Sequence, residues 1–364
     1  MNAQSIPLGE LGERDLAAWR ELAAGAIEPN PFFDPDFVLA AARGLGEIND
    51  VAILRVADSE GWAACLPIRH YSRWHRLPLP GMATWLHIYC LLGTPLLRPD
   101  GAADSVEAIL AQMGRGGPRS AFASLEWIPG EGPIADAVEK ASATGVVAFD
   151  RFERAVLYRR PQNDYLDGQV KGKHRREHRR LAKLLAEELD GPLELVDRAG
   201  ERKAVETFLE LEASGWKGQQ GTALTADPRH AEFFRETAGA FAARGALELL
   251  FLEAGGQVVA ARCNLLGGGI SFCFKVAYDE RFQRFAPGRE LELHLIDRFH
   301  EDSRLKSMDS CADPNNQLIG RLWADRRPLA TTLHPAPGPL GALARPAARM
   351  AVALRERRRA RSTA

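Results

Sequence analysis

The sequence predicts a mixed α/β fold that is built twice along one chain. A length of 364 residues is enough for about two domains, each with a core of its own. The composition, 46% hydrophobic and 26% charged, is typical of a soluble globular protein and excludes disordered, collagen-like and disulfide-framework classes. Both halves also repeat one order of elements: helix, hairpin, strand, helix and strand. A duplicated fold is the simplest interpretation, although no sequence repeat is visible.

The first half is predicted to be one domain on a largely antiparallel sheet. Asp34 is suited to cap a helix that starts at Pro35, because its carboxylate accepts from free N–H groups and proline fits the first turn. Two β-rich runs, 51–56 and 62–71, flank a turn signal and predict a hairpin. Further strands are expected at 87–92, 122–128 and 153–159, with a helix at 103–113.

The second half begins with a long basic amphipathic helix over 165–190, which Gly191-Pro192 would end. The elements predicted after it are strand 193–196, helix 199–214, helix 228–243, strands 246–253, 257–266 and 269–276, helix 288–301 and a strand near 306–310. The predicted domains are therefore 1–164 and 191–335, joined by the helix 165–190. A basic tail, 336–364, follows three closely spaced prolines.

The distribution of charge along the chain gives information on binding partners and not on the fold. The chain carries a formal charge of −1, yet 171–183 and 341–361 each carry +6, which leaves −13 for the remainder. The first block lacks the aromatic residues that stack on bases, so this pattern does not favour nucleic acid as a partner. The ordinary alternative is a solvated helix between the domains whose phosphate-facing side helps to hold the donor. In the second block, an apolar helical stripe among arginines is typical of a segment that lies on anionic lipid, and a disordered basic tail is the alternative. The stripe comprises Leu340, Leu343, Ala347, Met350 and Leu354.

Cysteine usage and the N-terminal residues predict the compartment. Five cysteines without a C-x-x-C pair indicate free thiols and no zinc site, so no metal is expected. The first residues have neither a basic start nor an apolar run, so a signal peptide is not expected. These patterns predict a cytoplasmic protein, with peripheral attachment to the inner membrane wherever the tail binds lipid.

The most informative segment runs from Ser271 to Leu291 as a strand, a short loop and a helix. A loop that delivers backbone N–H groups at a helix N-terminus is a positive cradle suited to a pyrophosphate. Two arginines flank the loop and suit phosphate oxygens, and a glycine allows close backbone approach. The candidate cofactor-binding residues are Gln283, Arg284, Ala286, Gly288 and Arg289.

This loop carries a resemblance to a known family. Gln283-x-x-Ala286-x-Gly288 resembles the Q/R-x-x-G-x-G/A loop of the GNAT N-acyltransferase superfamily, with alanine in place of the first glycine. Three motifs together resemble the GNAT-like subfamily named after the cellulose-biosynthesis protein CelD, over roughly residues 30–335. They are Leu211-Glu212-x-x-x-Trp216-Lys217-Gly218-x-x-Gly221-Thr222-Ala223, Lys275-x-Ala277-Tyr278-Asp279-Glu280 running into Pro287-Gly288, and Asp309-Ser310-Cys311-Ala312-Asp313. The resemblance implies a tandem double GNAT fold, related to that of the Fem-type aminoacyl transferases.

The resemblance also implies an activity. An amine would attack the carbonyl of an acyl-CoA or acyl-carrier-protein thioester, which is a co-substrate rather than a permanently bound cofactor. Strand 269–276 would hold the pantetheine and offer a backbone N–H to the oxyanion. The acceptor would be an amine of a lipid, for example a sphingoid base as in bacterial ceramide synthesis, or of an envelope-polysaccharide precursor. The alternatives are an aminoacyl-tRNA-dependent Fem-type transferase and a non-catalytic subunit of exopolysaccharide machinery.

Five residues are candidates for catalysis. Glu212, where a helix becomes a loop, would be the general base, or else a solvated helix-end carboxylate. Lys217 would hold an anionic group or orient a carboxylate. Lys275 lies in an apolar strand and needs a buried acid, for which Asp309 is the natural partner, in a structural or a catalytic pair. Tyr278 would protonate the leaving thiolate, or would be a packed aromatic beside the loop.

Two further residues are candidates for substrate binding. Trp216 would contact the substrate or fill the core, and His294 would contact it from the helix that follows the loop, with a plain helix-face residue as the alternative. Cys311 is expected to be a small buried side chain, because no matched histidine and aspartate accompany it.

Overall fold

The computed structural model describes residues 1–73, 79–115, 120–142, 146–160 and 165–362, and it divides into two compact units. Unit 1 comprises Met1–Ala42, Gly46–Glu153 and Arg327–Ala364, and unit 2 comprises Arg43–Leu45 and Arg154–Arg326. The last strand and helix of the chain thus belong with the N-terminal residues. The boundary predicted after residue 164 falls next to 161–164, which lie outside the described residues.

The elements up to residue 158 include the predicted hairpin and the predicted helix at Pro35. Asp36 N–H donates to Asp34 Oδ1 at 3.0 Å, as expected of a helix cap. The strand predicted at 87–92 is wrong, because Cys90 N–H donates to His87 O and closes a turn there. The elements are β1 (Asn2–Pro7), α1 (Glu13–Gly25), α2 (Pro35–Leu45), β2 (Val51–Asp58), β3 (Gly61–Tyr71), β4 (Gly81–Thr84), β5 (Leu96–Leu97), α3 (Ala102–Gly114), β6 (Phe122–Pro129), α4 (Pro133–Ala141) and β7 (Val147–Tyr158).

The single helix predicted over 165–190 is in fact two helices. They separate at Val170 and Lys171, between two glycines, the residue type with the lowest helix propensity after proline. The remaining elements are α5 (Tyr165–Gln169), α6 (Gly172–Glu188), β8 (Glu194–Asp197), α7 (Ala204–Ser214), α8 (Trp216–Gln219), α9 (Pro228–Ala243), β9 (Leu247–Ala254), β10 (Gln257–Gly267), β11 (Ile270–Tyr278), α10 (Pro287–Glu301), β12 (Ser307–Asp309), α11 (Gln317–Leu322), β13 (Asp325–Pro335) and α12 (Pro339–Ser362).

The sheets of the two units have the same topology. In unit 1 the strand order is β1-β2-β3-β4-β6-β13, in which β4 and β6 are parallel and the other neighbours antiparallel. In unit 2 the order is β8-β9-β10-β11-β12-β7, in which β11 and β12 are the parallel pair. The orders correspond position by position, so the expected duplication is confirmed at the level of topology. The sixth strand differs in its place along the chain: β13 of unit 1 is the last strand of the sequence, whereas β7 of unit 2 directly precedes β8.

Helix α10 lies on the sheet of unit 2 and is held there in two ways. Its apolar face, which includes Leu295 and Phe299, packs against buried side chains such as Leu250. In addition, Arg262 of β10 forms a buried ion pair with Glu292 of α10, with 2.6 Å between Nη1 and Oε2. Glu292 Oε1 accepts from Trp323 Nε1 at 2.7 Å, so both carboxylate oxygens are used. This contact fixes the helix whose N-terminus was predicted to form the pyrophosphate cradle.

The basic tail is helical throughout its described part. Ala344 and Ala348 of α12 are buried against Phe122 and Leu333. The predicted stripe is therefore divided: Leu340 is partly buried on this contact, while Leu343, Met350 and Leu354 are 63%, 60% and 50% exposed. Among the helices in the described ranges, none has both the length and the hydropathy needed to cross a bilayer.

Candidate active site

Strands β11 and β12 run side by side and then diverge. Residues Ile270 to Phe272 pair with Ser307 to Asp309, where β12 ends, whereas β11 continues to Tyr278. The other edge of β11 stays paired with β10 along its whole length. The carboxyl half of β11 therefore extends beyond its parallel neighbour.

A bulge lies in β11 at this point. Cys263 and Asn264 are consecutive in β10, but their partners in β11 are Lys275 and Cys273, so Phe274 is an extra residue. A bulge disrupts the regular ladder and redirects the side chains beside it. Lys275 follows it directly, and its ammonium lies 5.8 Å from the centre of the Phe274 ring.

Glu212 is not in a position to act as a general base. Its side chain is 1% exposed, Oε1 accepts from Lys217 Nζ at 2.7 Å, and Oε2 accepts from the N–H of Leu224 at 2.9 Å. Both oxygens of the carboxylate are thus occupied by the protein. Our expectation that Glu212 faces a cleft as a base is wrong, and its contacts are those of a residue that holds Lys217.

Lys217 connects this carboxylate to strand β11. Besides Glu212, its ammonium donates to the carbonyl of Val276 at 2.9 Å. The short helix α8 brings it there through a tight turn, in which a Cβ on Gly218 would lie only 1.8 Å from the carbonyl oxygen of Ala213. This explains why the Trp-Lys-Gly motif needs its glycine. The side chain of Trp216 is exposed, so it does not fill the core. The backbone N–H of Trp216 donates to Glu280 Oε1 at 2.7 Å.

The pKa of Lys275 is lowered to about 8, mainly by burial. The charge of Glu212 opposes this lowering, and the charge of Lys217 adds to it. Glu212 is therefore the carboxylate that acts most strongly on Lys275. Asp309 itself forms a buried salt bridge with Arg154, with 3.7 Å between Oδ1 and Nη1. The pairing of Lys275 with Asp309 stays a prediction. Arg154 is distant in the chain, and no sequence pattern pointed to it.

The loop before α10 departs from a simple amide cradle. Pro287 has no N–H, and the N–H groups of Arg289 and Glu290 both donate to Ala286 O, at 3.0 and 3.2 Å. A Cβ on Gly288 would lie 3.5 Å from the Tyr278 ring, which is an ordinary van der Waals contact, so the space at this position does not itself require glycine. The expectation of several free amides at this helix start is therefore wrong, since the turn uses them itself.

The flanking side chains of the loop are also partly engaged. Arg284 is exposed and pairs with Glu188 of α6 at 2.8 Å, and Gln283 is exposed. Arg289 points toward Glu290, with 3.8 Å between Nε and Oε1. His294 lies further along α10, beside α6, in a cleft described below. Cys311 is largely buried, and burial raises the pKa of its thiol, as expected of a small packed side chain.

Ala286 occupies a left-handed backbone conformation, with φ 54° and ψ 55°, where the GNAT motif has glycine. A Cβ is unfavourable in this region, so we expect Ala286→Gly to raise the free energy of unfolding by about 1 kcal/mol. Ala17→Gly, in the exposed middle of α1, is the matched control and should lower it by about 1 kcal/mol. Denaturant titration of both variants measures this, and two changes of the same sign would contradict the explanation.

Comparison with known proteins assigns the domain. A family model described as an acetyltransferase (GNAT) domain matches residues 172–332. This segment includes β11, the loop and α10, so the chain carries a GNAT acetyltransferase domain and is an acyltransferase. Within the described residues, no group of three or more histidine, cysteine, aspartate or glutamate side chains is arranged to hold a metal ion.

Solved structures share the fold along almost the whole chain. FemX is 10% identical, with a TM-score of 0.58 over 95% of this chain and 100% of that one. The C-terminal domain of a putative lysylphosphatidylglycerol synthetase from Agrobacterium fabrum is 13% identical, with a TM-score of 0.55 over 92% of this chain and 94% of that one. L-PGS from Bacillus licheniformis is also 13% identical, with a TM-score of 0.53 over 93% of this chain and 96% of that one. No curated protein matches the sequence. The predicted double GNAT fold, related to Fem-type transferases, is confirmed.

Proposed function

We propose that unit 2 transfers an acyl group from a CoA or acyl-carrier-protein thioester to a primary amine. The observation that carries this proposal is Lys275, a partly buried lysine with a pKa of about 8 that follows the bulge in β11, beyond the end of β12. A general base is most effective when its pKa lies near the working pH. An amine substrate is protonated in water and must lose a proton before it can attack.

In the proposed reaction Lys275 acts from its neutral form. It takes a proton from the substrate ammonium, and the free amine forms a C–N bond to the thioester carbonyl carbon. A backbone N–H of the bulged stretch is proposed to donate to the oxyanion. As the intermediate collapses, the C–S bond breaks, the thiolate leaves with that bond's electron pair, and the nitrogen loses its second proton to water to give the neutral amide. Tyr278 or the Lys275 ammonium then protonates the thiolate.

Lys217 and Glu212 are proposed to act through Lys275 and not on the substrate. Lys217 fixes the carbonyl of Val276, next to Lys275 in β11, and its charge favours the neutral form of Lys275. Glu212 anchors Lys217 and favours the protonated form of Lys275. The two are therefore positioning residues with opposite electrostatic effects.

Removing the charge of Glu212 or the charge of Lys217 should shift the pKa of Lys275 in opposite directions. Glu212→Gln removes a negative charge and should lower the pKa of Lys275, whereas Lys217→Met removes a positive charge and should raise it. Competitive labelling of the amine with acetic anhydride as a function of pH, followed by peptide mass spectrometry, measures this pKa without any substrate. Lys306, which is exposed, serves as an internal control in every sample. Shifts of the same sign in both variants would contradict the arrangement.

The donor is tested directly. Purified protein is offered acetyl-CoA and a panel of primary amines, with thiol release as the readout, and separately charged tRNA with and without ribonuclease. We expect amine-dependent thiol release, and a CoA species in native mass spectra of the fresh protein. A product that forms only from intact charged tRNA would instead establish the Fem-type alternative, which the shared fold with FemX favours. No transfer from either donor would favour a non-catalytic subunit.

The acceptor is proposed to be an amine of a membrane lipid, reached while α12 lies on an anionic bilayer; an envelope-polysaccharide precursor is the alternative acceptor. Leu343 and Met350 are exposed and, being seven residues apart, lie on one face of α12. Arg357, seven residues further on, lies on the same face, and the exposed Leu354 is next to it. The opposite face packs within unit 1, so an occupant must cover the exposed one from outside. Arginines around an apolar stripe complement anionic lipid.

Vesicle flotation of the full chain tests the membrane contact. The chain should float with phosphatidylcholine vesicles that contain phosphatidylglycerol and not with phosphatidylcholine alone. Replacing Leu343, Met350 and Leu354 together by glutamine should abolish flotation. The control, Ala342→Gln with Ala353→Gln, alters neighbouring exposed positions and should float normally. Equal behaviour of the two variants would exclude the stripe as the contact.

A further inference from the structure

A cleft of about 340 Å³ lies between α5–α6 and α10 in unit 2. Helix α6 lines it with Arg175, His178 and Arg179, and helix α10 lines it with Glu290, His294 and Asp297. The spacings of three, four and seven residues place each set on one face of its helix. The cleft therefore has a cationic wall and a wall rich in carboxylates, with a volume suited to a small ligand. Apart from His294, whose predicted contact with the substrate stays a prediction, none of the residues that line the cleft has a part in the proposed transfer reaction.

Polar groups inside the cleft lack hydrogen-bond partners. Glu290 has a side chain that is 4% exposed, and its Oε1 has no hydrogen-bond partner; the same holds for Nδ1 of His178, 3.8 Å away. Arg289 Nε, also 3.8 Å from Oε1, is buried and unpartnered as well. Buried polar atoms are normally satisfied, so the unpartnered Oε1 of Glu290 calls for a ligand with an N–H donor, and the unpartnered nitrogens of Arg289 call for an acceptor.

We propose that this cleft binds a small zwitterion, with a primary ammonium at Glu290 and an anionic group at Arg179. The buried floor holds a carboxyl group, which repels an anion and attracts an ammonium with three N–H donors. Arg179 is exposed at the rim. Arg175, also in the cationic wall, already pairs with Asp167, so Arg179 is the cation that meets the anionic group.

The protonation of the Glu290 carboxyl group is sensitive to the charge of a ligand bound beside it. Burial raises the pKa of Glu290 to about 7, although the charge of Arg289 opposes this. A bound ammonium would favour the ionised carboxylate. In this proposal, part of the basic block 171–183, on helix α6, faces the bound ligand. The inference concerns a second site and does not depend on the proposed transferase chemistry.

The test uses full-length protein and three probes: O-phosphoethanolamine, ethanolamine and inorganic phosphate. Calorimetric titration should show binding of O-phosphoethanolamine, weaker binding of ethanolamine, and none of phosphate alone. Glu290→Gln keeps the shape of the side chain and should weaken O-phosphoethanolamine binding by about tenfold or more. Arg179→Gln should weaken the binding of O-phosphoethanolamine but leave the affinity for ethanolamine unchanged. Glu301→Gln, at the exposed end of α10, should change neither.

Three results would overturn the proposal: no binding of any probe, phosphate binding as tightly as O-phosphoethanolamine, or wild-type affinity in Glu290→Gln. Arg179→Gln alters an exposed residue, so it keeps the test meaningful even where Glu290→Gln fails to fold. Lys275→Met should bind O-phosphoethanolamine like the wild type. The experiments can therefore disprove ligand binding in the cleft without disproving the proposed acyl transfer, and the reverse.

Discussion

Lys275→Met is expected to lower kcat/KM for acyl transfer by at least about a hundredfold, because it removes the proposed general base. The variant keeps the apolar stem and loses the ammonium. Steady-state thiol release, measured with the amine that the transfer screen identifies, gives the comparison. The matched control is Lys306→Met, which removes an exposed lysine and should leave kcat/KM unchanged.

The pH dependence provides a second measure of the same residue. Lys275 is active when neutral, so kcat/KM of the wild type should rise with pH and level off above about 8. Residual activity of Lys275→Met should lack this inflection. A wild-type profile that falls through pH 8 would mean that the ammonium form is the active one, and the residue would then act as an acid or an oxyanion contact.

Stability separates a lost base from a lost fold. The pKa of Lys275 is lower in the folded than in the unfolded chain, so the folded state binds fewer protons between about pH 8 and the ordinary lysine pKa. Stability should therefore rise with pH through that window. At neutral pH the charged lysine is a cost that Lys275→Met removes. The variant should unfold no earlier than the wild type, and an unstable variant would contradict the assigned burial.

Much of the fold follows from local patterns. Helix 228–243 was predicted with its observed bounds, because Asp227 and Pro228 mark its start and a continuous apolar face defines its length. The hairpin of β2 and β3 was equally accessible, since its turn residues separate two β-rich runs. Strand β13 was not predicted, although it completes the sheet of unit 1 beside β6. A strand that returns from a distant part of the chain leaves no local signal of its partner.

The sequence pointed to individual residues of the candidate site but not to how they pair. Glu212, Lys217 and Lys275 form one electrostatic cluster, whereas the sequence led us to pair Lys275 with Asp309 and did not connect the three. Their spacing in the sequence carries no information on which oxygen meets which ammonium, so a buried anchor was taken for an exposed base. The same applies to Asp309, whose salt-bridge partner Arg154 lies in a different strand. Pairing of this kind depends on tertiary structure.

Arg262→Met is expected to lower the free energy of unfolding by about 3–5 kcal/mol, because it leaves the buried carboxylate of Glu292 without its counter-charge. Arg262 also donates to Asn264 and lies 5.7 Å from the Trp323 ring centre, so its loss weakens the contact between β10 and α10. Unfolding in denaturant, followed by tryptophan fluorescence, measures the change. The exposed Arg304→Met, which breaks only the surface pair with Asp302, should cost less than about 1 kcal/mol.

The double variant Arg262→Met with Glu292→Gln tests the reason for this loss. A glutamine at 292 still offers an oxygen to Trp323 Nε1 but buries no charge, so the double variant should be more stable than Arg262→Met alone. Equal stability of the two would show that lost packing, not an uncompensated charge, causes the loss. Because the pair joins α10 to the strand beside β11, a loosened pair should also displace the loop at Ala286. The two results together would therefore connect the interior of unit 2 to the geometry of its proposed site.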